Sequence, residues 1–323
     1  MSAHAIEVRG LDRSFGTTRA VAGLSFTVRP GELYGLVGPD GAGKTTTLRV
    51  IAGLVAAQGG EVAVMGHALA SAKASKRTLT AEAAAVRELV GYMPQQASLY
   101  GDLSIDENIL FFGRLFGLAR EEIARRRDEL LAVTQLARFA DRRADALSGG
   151  MYKKLALSCA LLHRPSVLLL DEPSNGVDPV SRRELWDLLY RFVDAGMAVL
   201  LTTPYMDEAA RCHRVGLIDG GRLLAEGAPD ALTRSFPHPT RVIKPNARLD
   251  RAAAERALAE APELLALSPQ GADLRAVVRA GALDAFEARV ASLGLGLEPT
   301  RPDFEDVYLG LLATHAAPTR EAA

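Results

Sequence analysis

Gly38-Pro39-Asp40-Gly41-Ala42-Gly43-Lys44-Thr45 fits the phosphate-loop pattern G-x-x-x-x-G-K-[ST], and that pattern dictates what must flank it. It needs a buried strand before it and a helix after it. Leu33–Val37 is an apolar run of strand length, and residues 46–52 read as a helix with Leu48 and Ile51 on one face and Gly53 as its stop. The glycines let backbone N–H groups close around phosphate oxygens, while the helix N-terminus adds positive potential. On this reading Gly38, Pro39, Asp40, Gly41, Ala42, Gly43 and Thr46 surround the phosphates, with the Asp40 side chain turned outward. Lys44 reaches the β- and γ-phosphates, and the Thr45 hydroxyl holds Mg²⁺. Nucleotide binding is the first expectation.

At 323 residues the chain suits roughly two domains of about 100–200 residues each. Residues 4–37 alternate apolar and polar positions, with Gly16 and Pro30-Gly31 as turns, which predicts an antiparallel β region leading into the loop. Short apolar runs follow at 61–66 and 89–93, and between them 68–87 reads as a partly helical, mobile surface excursion. From 104 to 164 the pattern is helical. Ser104 with Glu107 predicts a capping box, and 121–139 an amphipathic helix with a basic, solvated face. Residues 167–170 and 198–202 are continuous apolar runs, as in buried parallel strands, separated by a helix over 181–195. A helix beginning at 207 and strands at 214–218 and 222–226 complete an α/β pattern.

Pro237-His238-Pro239 marks a boundary. Beyond it the pattern reads strand (241–244), helix (250–260), strands near 265 and at 274–278, helix (282–293), strand near 295–297 and helix (303–312). That order predicts a small α+β domain over 240–313, ferredoxin-like, followed by a disordered tail at 314–323.

Composition narrows the function. Lys+Arg 38 against Asp+Glu 39 gives no basic excess, so a nucleic-acid partner is not expected. The two cysteines, Cys159 and Cys212, form no C-x-x-C, which suits a reduced, cytoplasmic chain. The N-terminus lacks a charged-then-apolar signal, and no apolar run approaches the roughly 20 residues that cross a bilayer. A membrane role therefore has to come through partners.

Val167-Leu168-Leu169-Leu170-Asp171-Glu172 puts two carboxylates at the C-terminal end of a buried strand, where ligands sit in open α/β sheets. Asp171 is expected to hold Mg²⁺ through water, and Glu172 to orient or deprotonate an attacking water. Leu147-Ser148-Gly149-Gly150-Met151 opens a helix running to His163. Taken alone it is an ordinary Ser N-cap. Placed just before Val167, its hydroxyl and free N–H groups make a second anion site, and one chain cannot easily wrap a phosphate from both.

These motifs, in this order, resemble the nucleotide-binding subunit of an ATP-binding cassette (ABC) transporter, over roughly residues 5–235. The resemblance implies a P-loop core with an antiparallel β subdomain and an α-helical signature subdomain at about 97–165, within an ATP-binding domain at 1–236. It implies that two cassettes pack head to tail around two ATP molecules, so that Ser148, Gly149 and Gly150 meet the γ-phosphate of ATP on the other subunit. Phe15, a core residue on its own merits, then matches the family's adenine-stacking aromatic. Gln95 matches the glutamine that touches Mg²⁺ and links the cassette to its membrane partner, with Gln96 the weaker register. Asp178 matches the loop aspartate at the dimer seam. Asp178-Pro179-Val180-Ser181-Arg182-Arg183 and Asp303-Phe304-Glu305-Asp306-Val307-Tyr308 are similar to drug-export ATPases of the daunorubicin-resistance type.

Where the family keeps a γ-phosphate-sensing histidine, after Thr202-Thr203, this chain has Pro204, and His213 lies too far along the next helix to replace it. Proline offers no donor. A lost charge-assisted hydrogen bond of about 1.5–3 kcal/mol, felt in the transition state, corresponds to a roughly 10- to 100-fold slowing. The resemblance implies an exporter ATPase working with membrane-spanning permease subunits at the cytoplasmic face of the membrane, as a homodimer or as a heterodimer with a second cassette. The alternatives are a non-hydrolysing regulatory partner and a soluble ABC protein outside transport. The second usually carries two cassettes, coiled-coil insertions or basic extensions, none of which is present.

Overall fold

The computed structural model describes residues 4–70, 76–96 and 98–316, and the chain divides into two compact units, Met1–Ala225 and Glu226–Ala323.

The first unit opens with β1 (Ile6–Phe15) and β2 (Thr18–Val28), an antiparallel pair whose inward side chains (Ile6, Val8, Leu11, Val21, Leu24, Val28) are buried. β3 (Leu33–Val37) then runs into α1 (Lys44–Ile51), and β4 (Gly59–Val64) and β5 (His67–Ala70) follow. β5 was not expected. Residues 68–70 lie in the stretch read as a surface excursion, yet with His67 they pair with β4 and close a sheet of order β2-β1-β4-β5. That excursion continues as α2 (Lys76–Leu89), and its residues 71–75 lie outside the described residues.

β6 (Val90–Met93) leads to the helical part: α3 (Ile105–Leu115), α4 (Arg120–Thr134) and α5 (Gly149–Leu161). The Ser104–Glu107 capping box forms in both directions. α4 stops five residues short of the expected end, where Gln135 turns left-handed at φ 60. Its basic face is ion-paired rather than merely solvated. Arg125 meets Glu122 and Glu129, Arg127 meets Asp106, and Arg126 caps α5 by donating to the carbonyls of Leu161 (2.8 Å) and Leu162 (3.2 Å).

β7 (Val167–Asp171), α6 (Pro179–Asp194), β8 (Ala198–Thr203), α7 (Met206–Ala209), β9 (Arg214–Asp219) and β10 (Arg222–Gly227) complete the central sheet, order β10-β9-β3-β8-β7-β6. β3 is parallel to β8 and β9, and β7 is parallel to β8 and β6. The register decides where function can sit. Val37 pairs with Thr203 and Asp171 with Thr202, so the phosphate loop, Glu172 and Pro204 all leave the sheet at one edge.

The second unit contains α8 (Pro229–Arg234), β11 (Thr240–Lys244), α9 (Arg251–Leu258), β12 (Leu264–Gln270), β13 (Asp273–Val278), α10 (Leu283–Ser292), β14 (Gly296–Thr300) and α11 (Phe304–Ala316). Its sheet, order β12-β13-β11-β14, is antiparallel throughout. Leu274, Ala276 and Val278 of β13 share a core with Ala254 and Leu258 of α9 and Phe286 and Val290 of α10. α11 lies over the opposite face, where a Cβ on Gly310 would fall 2.6 Å from Phe236 and 3.8 Å from Val277. The tail expected to be disordered from 314 is helical through Ala316, and 317–323 lie outside the described residues.

Candidate nucleotide site

The phosphate loop is built from backbone that tolerates little but glycine. Gly41 and Gly43 have φ 81 and 100, and a Cβ on Gly43 would fall 2.2 Å from the Ala20 carbonyl. A Cβ on Gly38 would fall 2.2 Å from the carbonyl of Ile218. Around Gly41 the space is open. Gly43 begins α1 with no capping side chain, so the first-turn N–H groups of Lys44, Thr45 and Thr46 are left for an anion. The Lys44 ammonium folds back on the loop, donating to Gly38 O (2.8 Å) and Pro39 O (3.0 Å), and stands 3.7 Å from Glu172. Asp40 is 94% exposed but its Oδ1 stands 3.9 Å from the Lys44 ammonium, so it is not turned wholly outward, and Ala42 is buried beneath the loop.

Behind the loop the two carboxylates divide their work. Asp171 is buried, and its Oδ1 accepts from the hydroxyls of Thr45 (3.0 Å) and Thr202 (2.7 Å). Its Oδ2 is buried with no hydrogen-bond partner. A carboxylate oxygen left bare beside a threonine hydroxyl suits a hard divalent cation that takes its remaining ligands from phosphate and water. Glu172 follows in the left-handed region at φ 49, a strained conformation for a residue with a Cβ. It is held there by its N–H, which donates to Thr202 O (3.2 Å) and Oγ1 (3.1 Å). Gln95 Nε2 donates to Glu172 Oε2 at 2.8 Å. Lys153 in turn donates to the Gln95 carbonyl (3.3 Å); burial lowers its pKa, against the pull of Glu172 and Asp171.

Ser148 caps α5, accepting from Met151 N at 3.3 Å, and Asp178 caps α6, accepting from Val180 N and Ser181 N at 3.0 Å each. The Ser181 side chain first, and then these backbone donors, hold the Asp178 carboxyl below its ordinary pKa. The two glycines after Ser148 are crowded by their own chain. A Cβ on Gly149 would lie 2.8 Å from Gly176 O, and one on Gly150 would lie 2.3 Å from the Ser181 side chain. Phe15 is 48% exposed, which corrects its reading as a core residue. Pro204 follows β8 next to Thr203, whose carbonyl accepts from Gly38 N at 3.3 Å. His213 is not on a helix. It enters β9 and pairs with Leu33 through both backbone and Nδ1, at the opposite end of β3 and about 13 Å from the loop by strand rise.

A family profile described as ABC transporter matches residues 21–175. The chain is 42% identical over 232 residues to the Nod factor export ATP-binding protein I of Paraburkholderia xenovorans (strain LB400), covering 72% of this chain and 73% of that protein. The chain belongs to the ABC transporter family. It is an ATP-binding cassette of that family, and its fold is the family's nucleotide-binding domain. It is also 37% identical over 310 residues to the probable multidrug ABC transporter ATP-binding protein YbhF of Escherichia coli (strain K12); this spans 95% of the chain but only about half (52%) of YbhF. Among solved structures, the dimeric bacterial ABC transporter cassette MJ0796 matches with TM-score 0.61 and 25% identity, over 69% of this chain and 98% of that one. MJ0796 has also been solved in a post-hydrolysis state bound to ADP and Pi. Among the described residues of this cassette, no helix is long and apolar enough to cross a membrane.

Sequence reasoning missed Thr202 as a site residue, since it reads there as the end of a buried strand. Asn175, whose Nδ2 lies 3.4 Å from Glu172 Oε2, and Lys153 were also missed. The polar close of an apolar run, Thr202-Thr203, was the available signal.

Proposed function

We propose that this cassette binds Mg·ATP between its own Lys44 loop and the Ser148-Gly149-Gly150 face of a second cassette, and that closing and reopening this clamp drives the separate membrane subunits of an exporter. The observation that carries the reading is the joined cluster Thr45–Asp171–Thr202 and Gln95–Glu172 under the phosphate loop, with Lys44 between loop and carboxylate. Lys44 turns from the Gly38 and Pro39 carbonyls to the β- and γ-phosphates. Thr45, Asp171 and Gln95 would hold Mg²⁺, which when bound would supply charge neutralisation at the phosphates. Glu172 accepts a proton from, or orients, the attacking water, with Gln95 fixing the carboxylate. Phe15 stacks on adenine, and Asp178 lies at the seam.

Export is supported by the names of the relatives. Docking of permease segments is supported by a surface cleft of about 470 Å³ beside α3, lined by Leu103, Leu110, Phe111 and Leu115 together with Glu107 and Arg114. Pro204 favours a second reading within the same framework: a pocket that holds ATP longer than it hydrolyses it, lending its Ser148 face to a complete partner. Isolating the chain from membranes tests the transport role. Recovery with a protein bearing several spanning segments is expected, and recovery with ribosomes instead would contradict it. Lys44→Ala should abolish ATP binding to the purified chain.

A further inference from the structure

Phe15 ends β1 with nearly half its surface open, but one ring face is already covered: Arg13 Cζ lies 4.5 Å from the ring centroid. The guanidinium is anchored. Its Nη1 donates to Ala56 O at 3.0 Å, and its Nε is buried without a hydrogen-bond partner. The backbone beside it is fixed to the same segment, with Ser14 N donating to Gln58 Oε1 (2.6 Å) and Gln58 N to Asp12 O (2.9 Å). Residues 56–58 follow closely on α1, the helix that opens from the phosphate loop.

We propose that Arg13 is a positioning residue for the nucleotide base: its cation–π contact holds Phe15 from one side, leaves the opposite face for adenine, and ties that platform through Ala56 to the segment behind the phosphate loop. The proposal rests on Phe15 being the adenine platform. An exposed aromatic side chain loses rotamer freedom when a base stacks on it, and that loss weakens binding. A guanidinium seated on the ring removes the freedom in advance. The contact is electrostatic, from a cation on the negative face of the ring quadrupole, and it strengthens where the cation is partly desolvated, as the buried Nε indicates here. The anchor to Ala56 adds a distance constraint. The base platform and the phosphate loop cannot drift apart independently while Arg13 spans them.

Calorimetric titration of the purified full chain with ATP, GTP and inorganic tripolyphosphate tests this, using Arg13→Gln, Arg13→Lys, Phe15→Ala and the Arg13→Gln/Phe15→Ala double variant. Arg13→Gln should weaken ATP and GTP alike by about fivefold, because stacking tolerates either purine, and leave tripolyphosphate unchanged. Arg13→Lys, which keeps the cation, should stay within about twofold of the parent chain. The double variant should bind ATP no more weakly than Phe15→Ala alone, since Arg13 acts only through the ring. ATP affinity unchanged or raised in Arg13→Gln, with Phe15→Ala weakened, would overturn the role of Arg13 while leaving the platform intact. A parallel loss of tripolyphosphate affinity would overturn it too, by placing the effect on the phosphate loop or the fold. Phe15→Ala without effect on ATP would overturn the platform reading, and the proposal with it.

Discussion

Glu172, Asp171 and Thr202 show how few atoms separate a structural strand end from a phosphoryl-transfer site. Thr202 donates to Asp171 and its hydroxyl accepts from the Glu172 N–H, so one side chain fixes the Asp171 carboxylate and the Glu172 backbone together. Thr202→Val should therefore slow turnover by roughly tenfold, the effect of one charge-assisted hydrogen bond, with ATP affinity nearly unchanged; steady-state kinetics beside direct titration separates the two. In the second unit, Asp306 gives the motif at 303–308 a physical reason. It is buried, takes Arg275 in a two-point contact (2.9 and 2.6 Å), and exchanges capping bonds with Asp303. Removing it leaves the largely buried Arg275 guanidinium with only the Arg301 carbonyl (2.8 Å) and Asp303 (3.3 Å), so Asp306→Ala should cost about 1.5–3 kcal/mol in urea unfolding of that unit. In the sequence this motif was legible only as a resemblance, because its partner Arg275 lies on a strand 31 residues away.

The helix α5 carries two further expectations. Its start is crowded: Gly150→Ala would push a methyl group into Ser181, an overpacking cost of about 1–3 kcal/mol. Ser181→Gly should restore much of the melting temperature lost in Gly150→Ala, which would show that the glycine is required by packing as well as by any ligand. Just beyond its end, His163 stacks on Phe116 at 4.1 Å and bonds through Nε2 to Val90 O, while Nδ1 is buried and unpartnered. Burial, with Arg126 adding to it, lowers the His163 pKa from its ordinary 6.5. The unfolded chain therefore binds the proton more readily, so stability is full above about pH 6.5 and falls as pH drops through the lower folded value. His163→Gln should flatten that acid limb in a denaturation series between pH 7 and 5. The helices and the phosphate loop were legible because their signals are local: Ser104 with Glu107, Gly53 after α1, glycines at fixed spacing. β5 was not, being four residues of an edge strand without alternation, and the start of α6 was placed two residues late because its Asp178-Pro179 cap went unread.

For the whole molecule, the proposed function makes one chain one half of a clamp. The Lys44 loop and the carboxylates converge at one edge of the central sheet, whereas the Ser148 face is read as serving another molecule's nucleotide, a relation that no pattern within a single sequence can display. Pro204 sits at that same edge, next to Gly38 through Thr203, and His213 is held at the far end of β3. On this account ATP is bound normally and hydrolysed slowly. The direct test is ATP turnover of the purified chain beside Pro204→His, with affinity measured on both. The account predicts a roughly 10- to 100-fold faster rate in Pro204→His at equal affinity; a rate unchanged by the substitution would contradict it.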